Sequence, residues 1–209
     1  MSDAVRKYFD RTSREFDSIH GRGLLSLGGL VDRVFRAGML EREAYVLGSL
    51  SPAGTLLDVG CGGGKYAVEL ARRGMSATGI DFAEAMIAIA GERAQKAGVG
   101  SSCRFIAGDV MTLDVAPADA VLAIGVFDYV DEPSRLLARL RELTRRELIA
   151  SFPKAGTWQG VLRRAWLRLR DCPVRYYQVA ELRGLVAGWE GEARIVESIR
   201  GDYLLHWRR

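Results

Sequence analysis

Cysteine and histidine are scarce in this chain, and each scarcity removes a class of explanation. The 209 residues hold three cysteines. Cys61, Cys103 and Cys172 are odd in number, widely spaced and without a C-x-x-C pair, so they supply neither a disulfide framework nor a zinc site. The two histidines, His20 and His206, stand far apart in sequence, and no metal site is legible. Long apolar runs are absent too. The longest, Ala120 to Phe127, has eight residues, against the ~20 that span a bilayer. Residues Met1 to Lys7 carry charge at once and lack the apolar centre of a signal peptide. The expected setting is therefore reducing and cytoplasmic. An excess of charge of one sign is also missing. Thirty basic residues face 26 acidic ones, net +4, which offers no concentrated basic face for nucleic acid.

What is present is an alternation of strand and helix patterns around one glycine turn. Leu56-Leu57-Asp58-Val59 is a short branched apolar run, suited to a strand buried on both faces of a parallel sheet. Gly60, Gly62, Gly63 and Gly64 follow, and from Lys65 apolar residues at Tyr66, Ala67, Leu70 and Ala71 recur at helical spacing. Strand, glycine turn and helix make a nucleotide-type binding turn, with backbone N–H groups at a helix N-terminus. The dinucleotide fingerprint needs a third glycine where this chain has Lys65, and the Walker pattern fails because Tyr66 follows Lys65. A nicotinamide oxidoreductase is thus the disfavoured alternative. A second strand ends at Asp81, 23 residues after Asp58, where a carboxylate at a strand tip accepts hydrogen bonds from ribose hydroxyls.

The residues Asp58-x-Gly60-x-Gly62-x-Gly64, the strand end Ile80-Asp81-Phe82, the segment Phe105 to Val110 and the apolar run Ala120 to Phe127 come in that order. Together they resemble the motifs of class I S-adenosylmethionine-dependent methyltransferases. The resemblance implies an α/β fold: a Rossmann-like sheet of seven strands with a terminal antiparallel hairpin, helices on both faces, and an N-terminal helical lid. It implies S-adenosyl-L-methionine as cofactor, held by Asp58, Gly60, Cys61, Gly62, Asp81 and Phe82. Asp109 is then the acceptor for the adenine amino group, Val110 the donor to the ring, and Gly125 part of the lining near the sulfonium. Residues 1–50 are expected as the lid and 51–209 as the methyltransferase domain. The hairpin is expected from Ala193–Ile199 and Tyr203–Trp207, joined at Arg200-Gly201-Asp202.

Residues 154–178 form a basic amphipathic insertion, with Lys154, Arg163, Arg164, Arg168, Arg170 and Arg175 against Asp171 alone. Trp158, Val161, Leu162, Trp166 and Leu169 give it an apolar stripe. It reads as a solvated surface helix, as a contact for an acidic substrate, or as a peripheral membrane contact. Candidate catalytic groups are Asp128 and Tyr129 after strand four, with Tyr8 and His20 from the lid. Helix capping or a salt link is the structural reading of Asp128, and His206 is expected to be structural. Tyr8-Phe9-Asp10-Arg11-Thr12 and Phe152-Pro153-Lys154 also resemble the layout of magnesium-protoporphyrin O-methyltransferases. That family has a histidine before the tyrosine where this chain has Asp128. O-methylation of a small acidic or amphiphilic molecule is the leading expectation. N-methylation and a non-catalytic cofactor-binding partner or regulatory subunit are the alternatives.

Overall fold

The computed structural model describes residues 29–51, 54–156 and 174–209, with side chains from residue 37 onward. Helix α1 (Gly29–Ser49) precedes strand β1 (Thr55–Val59), which the glycine turn joins to α2 (Lys65–Arg72). Then come β2 (Ser76–Asp81), α3 (Glu84–Lys96), β3 (Cys103–Ala107), β4 (Ala118–Ala123), α4 (Pro133–Glu142) and β5 (Thr144–Pro153). Helix α5 (Val179–Leu185) leads to the antiparallel strands β6 (Glu192–Val196) and β7 (Asp202–Arg208). The sheet order is β3-β2-β1-β4-β5-β7-β6, parallel from β3 to β5 and antiparallel at β7 and β6. This is the expected seven-stranded sheet with its terminal hairpin.

Alternating side chains feed the two faces of the sheet, as the pleat requires. Leu57, Val59, Val121, Ala123, Leu148 and Ala150 pack on one side with Leu136, Leu137 and Leu140 of α4 and Leu182 of α5. Leu56, Ala120, Leu122 and Ile149 face the other way, onto Leu70 and Ala71 of α2 and Val46 of α1. Helix α1 also grips the hairpin edge. Its Glu41 pairs with Arg200, Arg42 donates to Asp202 at 2.8 Å, and Tyr45 Oη lies 3.0 Å from His206 Nδ1. His206 Nε2 lies 3.2 Å from Glu147, so this buried histidine is structural as expected.

Element ends depart from the sequence patterns where side chains capture backbone groups. The sequence from Asp81 to Ala97 reads as one helix, but the helix begins at Glu84, because the Asp81 carboxylate accepts the Ala83 N–H at 3.0 Å and Asp81 itself ends β2. The sequence from Pro133 to Thr144 likewise reads as a helix, but the helix stops at Glu142, since Thr144 pairs with Ala118 and opens β5. Strand β6 stops at Val196 rather than Ile199. The Lys154 ammonium takes the carbonyls of Glu197 and Ile199, at 2.6 and 2.7 Å, out of the ladder. Among the described residues no helix is long and apolar enough to cross a membrane. Residues 1–28 of the expected lid, the segment 157–173, and with them Tyr8, His20, Trp158 and Cys172, lie outside the described residues.

Candidate active site

The strand order reverses direction of growth between β1 and β4, so a crevice opens above their carboxyl ends. The glycine turn after β1 borders it. Gly60, Gly62 and Gly64 have φ of 68°, 50° and 73°, the left-handed region that favours glycine. Their roles differ. A Cβ at Gly60 would collide with Val126, and one at Gly64 would press on Ala90 and Phe105, whereas one at Gly62 would meet nothing. Gly60 and Gly64 are therefore fixed by packing, and Gly62 faces open space.

The turn is closed onto β2. The N–H groups of Gly60 and Cys61 both donate to the Ile80 carbonyl, at 2.7 and 3.0 Å, and Gly64 N–H donates to Cys61 O at 2.9 Å. Gly62 N–H donates to Asp81 Oδ2 at 2.9 Å. The sequence pattern led us to expect free N–H groups here. The structure instead commits these four, which leaves little of the nest a pyrophosphate needs. Asp81 is 8% exposed, and each of its oxygens takes one backbone N–H.

Asp58 lies beneath the turn, 1% exposed. Its Oδ2 has no hydrogen-bond partner, an orphaned buried acceptor at the foot of the loop. Burial, and then the Asp81 charge, push its carboxyl up to about 7, although the Ala67 N–H works the other way. Burial also pushes the Cys61 thiol upward, with Asp58 and Asp81 adding to it. The Cys61 sulfur packs under the loop against Gly79, in the space a larger side chain would need. Phe82 is half-buried beside Asp81.

The other expected groups come from β3 and β4. Asp109 is exposed, and its Oδ1 accepts the Met111 N–H at 2.9 Å. Val110 is buried in the core, so only its backbone is available to a ligand. Gly125, at φ 76°, donates its N–H to Ser151 Oγ at 2.8 Å. Phe127–Tyr129 form a short 3-10 turn in which Asp128 is 4% exposed and Tyr129 is 9% exposed. The turn is anchored from both sides. Arg175 N–H donates to the Asp128 carbonyl at 2.8 Å, and Tyr177 Oη donates to the Phe127 carbonyl at 3.0 Å. Phe127 stacks on Phe152 at 4.3 Å, which in turn meets Tyr177 edge-on.

Sequence reasoning missed one group of this site. Arg42 enters from α1, its side chain 16% exposed, and bonds Asp202. Burial opposes its charge, but Asp202, Tyr66 and Asp128 together hold it on the guanidinium. Its Nε is buried without a partner. No sequence pattern marks it; only the docked helix, in which Gly38 and Val46 on the same face are packed, shows that Arg42 is turned inward. Among the described residues no set of three or more candidate metal ligands exists.

The comparisons agree with this geometry. Residues 56–147 match a family model described as a methyltransferase domain. A ubiquinone biosynthesis O-methyltransferase of Pseudomonas paraeruginosa is 29% identical over 142 residues, 68% of this chain and 54% of that protein. One from Methylocella silvestris is 36% identical over 104 residues, 50% of this chain and 40% of that protein. The chain thus spans about half the length of these curated relatives. Among solved structures, magnesium protoporphyrin IX methyltransferase from Synechocystis PCC 6803 with bound SAH superposes with a TM-score of 0.78, 23% identity and 98% coverage of both chains. The same protein with bound SAM gives 0.76 at 22% identity, covering 100% of this chain and 98% of that one. At this identity the likeness is one of fold.

Proposed function

We propose that this chain, whose residues 56–147 match a methyltransferase domain, is a class I methyltransferase that binds S-adenosylmethionine over the Gly60–Gly64 turn and methylates an oxygen of a small acidic or amphiphilic molecule. The observation that carries this reading is the pairing of Asp58 and Asp81 around the turn. One is a buried carboxyl with an orphaned oxygen, the other a strand-tip carboxylate that ties the glycine turn to β2. A positively charged amino-acid nucleoside suits such a site; a pyrophosphate does not. Asp81 is the acceptor for the ribose hydroxyls, Asp109 for the adenine amino group, and the open side of Gly62 is where a ligand approaches the main chain. Arg42 is the cation suited to the ligand's carboxylate, since its Nε has no partner.

The bound cofactor supplies a methyl carbon already activated by its sulfonium. The chain's own part is alignment, which brings nucleophile and carbon within roughly 3–3.5 Å, and proton removal where the acceptor is a hydroxyl. Asp128 and Tyr129, at the exit of β4, are the proposed base and orienting group. Tyr8 and His20 remain candidates of the lid, proposed as residues 1–50, and the Lys65–Glu43 ion pair at 2.6 Å between α2 and α1 supports that lid's seat beside the turn. Residues 154–178 are read as a contact for the acceptor's acidic group, supported by Arg175 beside Asp128. The free thiols of Cys61 and Cys103 support a cytoplasmic setting. O-methylation is favoured by the names of the curated relatives. Also, Gly125 to Asp128 offers no Pro-Pro main-chain acceptor for a base amino group. Calorimetric titration with S-adenosylmethionine, followed by a mass-spectrometric search of host extract for a product one methylene heavier, tests the reading. Absence of binding would overturn it.

A further inference from the structure

Helix α4 lies on the far side of the turn that follows β3, and one of its side chains reaches back into that turn. Arg139 Nε donates to the Val110 carbonyl at 3.3 Å, and Nη2 donates to the Leu113 carbonyl at 3.1 Å. The two carbonyls bracket residues 111–113, just past Asp109. Inside the bracket, the N–H groups of Thr112 and Leu113 both donate to the Asp109 carbonyl, at 3.0 and 2.9 Å. Most telling is the peptide unit between Val110 and Met111. Its oxygen accepts from Arg139, and its N–H donates to Asp109 Oδ1 at 2.9 Å. One rigid planar group therefore links the guanidinium to the carboxylate. A charged donor on the oxygen polarises the amide and strengthens the N–H bond at its other end.

Asp109 is exposed, so its direction depends chiefly on that N–H. The Met111 N–H holds Oδ1 and so fixes how the carboxylate is presented. Arg139 is itself only partly exposed, and its other contact, Nη1 to Glu142 at 3.4 Å, is long. Its polar commitments thus go chiefly to the turn.

We infer that Arg139 is a positioning residue for cofactor selection: through the Val110–Met111 peptide it aims the Asp109 carboxylate, and so sets the preference for a 6-amino over a 6-oxo purine. This rests on the proposed role of Asp109 toward adenine. Arg139 itself touches no ligand.

The test is calorimetry with two probes, S-adenosylhomocysteine and its 6-oxo analogue S-inosylhomocysteine, on wild type, Arg139→Met and Arg139→Lys. Wild type is expected to prefer the amino compound by about tenfold, the factor of one well-placed charge-assisted hydrogen bond. In Arg139→Met that ratio falls to about two or less, mainly through weaker binding of the amino compound. Lysine, with one ammonium for two carbonyls, gives an intermediate ratio. A change confined to stability would weaken both probes equally and leave the ratio intact, which overturns the inference. Should Arg139→Met not fold, the Lys variant alone decides, together with hydrogen exchange at the Met111 amide, which is expected to quicken; an unchanged ratio and unchanged exchange overturn the inference. If wild type binds neither probe, the cofactor reading fails. If it binds both equally, the adenine role of Asp109 fails while the cofactor reading stands.

Discussion

Gly62 N–H and Asp81 Oδ2 are 2.9 Å apart, donor to acceptor, so the glycine turn and the tip of β2 act as one unit. Asp81→Ala removes both the proposed ribose acceptor and this tie. Loss of a charge-assisted partner is expected to weaken S-adenosylmethionine binding by ~1–3 kcal/mol. Isothermal titration reads this directly, and unchanged affinity would rule out the ribose role.

The Asp58 carboxyl, pushed up to about 7 by burial and by Asp81, makes stability and binding depend on pH in opposite senses. The raised value means the free protein holds a proton that the unfolded chain has lost. The stabilisation is complete below the ordinary carboxylate range and disappears as pH rises through about 7. A cationic ligand prefers the ionised form, so affinity for S-adenosylmethionine is expected to rise over the same interval with proton release. Urea midpoints of the free protein between acid and neutral pH, and titrations in two buffers of different ionisation enthalpy, check both halves. In Asp58→Asn both slopes are expected to flatten.

Gly62→Ala separates backbone strain from ligand contact. Its φ of 50° is unfavourable for alanine, yet the new Cβ meets nothing in the protein. The expected stability loss is about 1–2 kcal/mol, while cofactor affinity falls by more, because the methyl occupies the approach to the main chain. If thermal shift and calorimetry report equal losses, Gly62 is a structural glycine and nothing else.

For Asp128→Asn, S-adenosylmethionine affinity is expected to stay within about twofold. Methylation of the acceptor recovered from host extract should fall by ~10²-fold or more, the usual contribution of a positioned base. Full retention of turnover would leave Asp128 as an anchor of the Phe127–Tyr129 turn.

Much of this was legible in the chain itself, for reasons tied to particular residues. Buried parallel strands need continuous apolar runs, and Leu56–Val59 and Ala120–Ile124 supply them. The conformations of Gly60, Gly62 and Gly64 require glycine, so their spacing marks the turn. Contacts made by side chains to distant backbone were not legible. Nothing in the local pattern says that Asp81 closes the turn on itself through Gly62 and Ala83, or that Lys154 will shorten β6 by capturing two carbonyls. Arg42 and Arg139 were hidden likewise. An arginine on a helix reads as solvated surface until the helix is docked, and only docking reveals that its face is turned inward.

The bonds from Gly60 and Cys61 to Ile80 have one more consequence. A loop that has already spent its donors on the neighbouring strand does not wait for a guest in order to take shape. The ordering cost of recognition then falls on the small molecule and not on the polypeptide, and capture should be limited by diffusion, slowing in proportion as the medium is made more viscous.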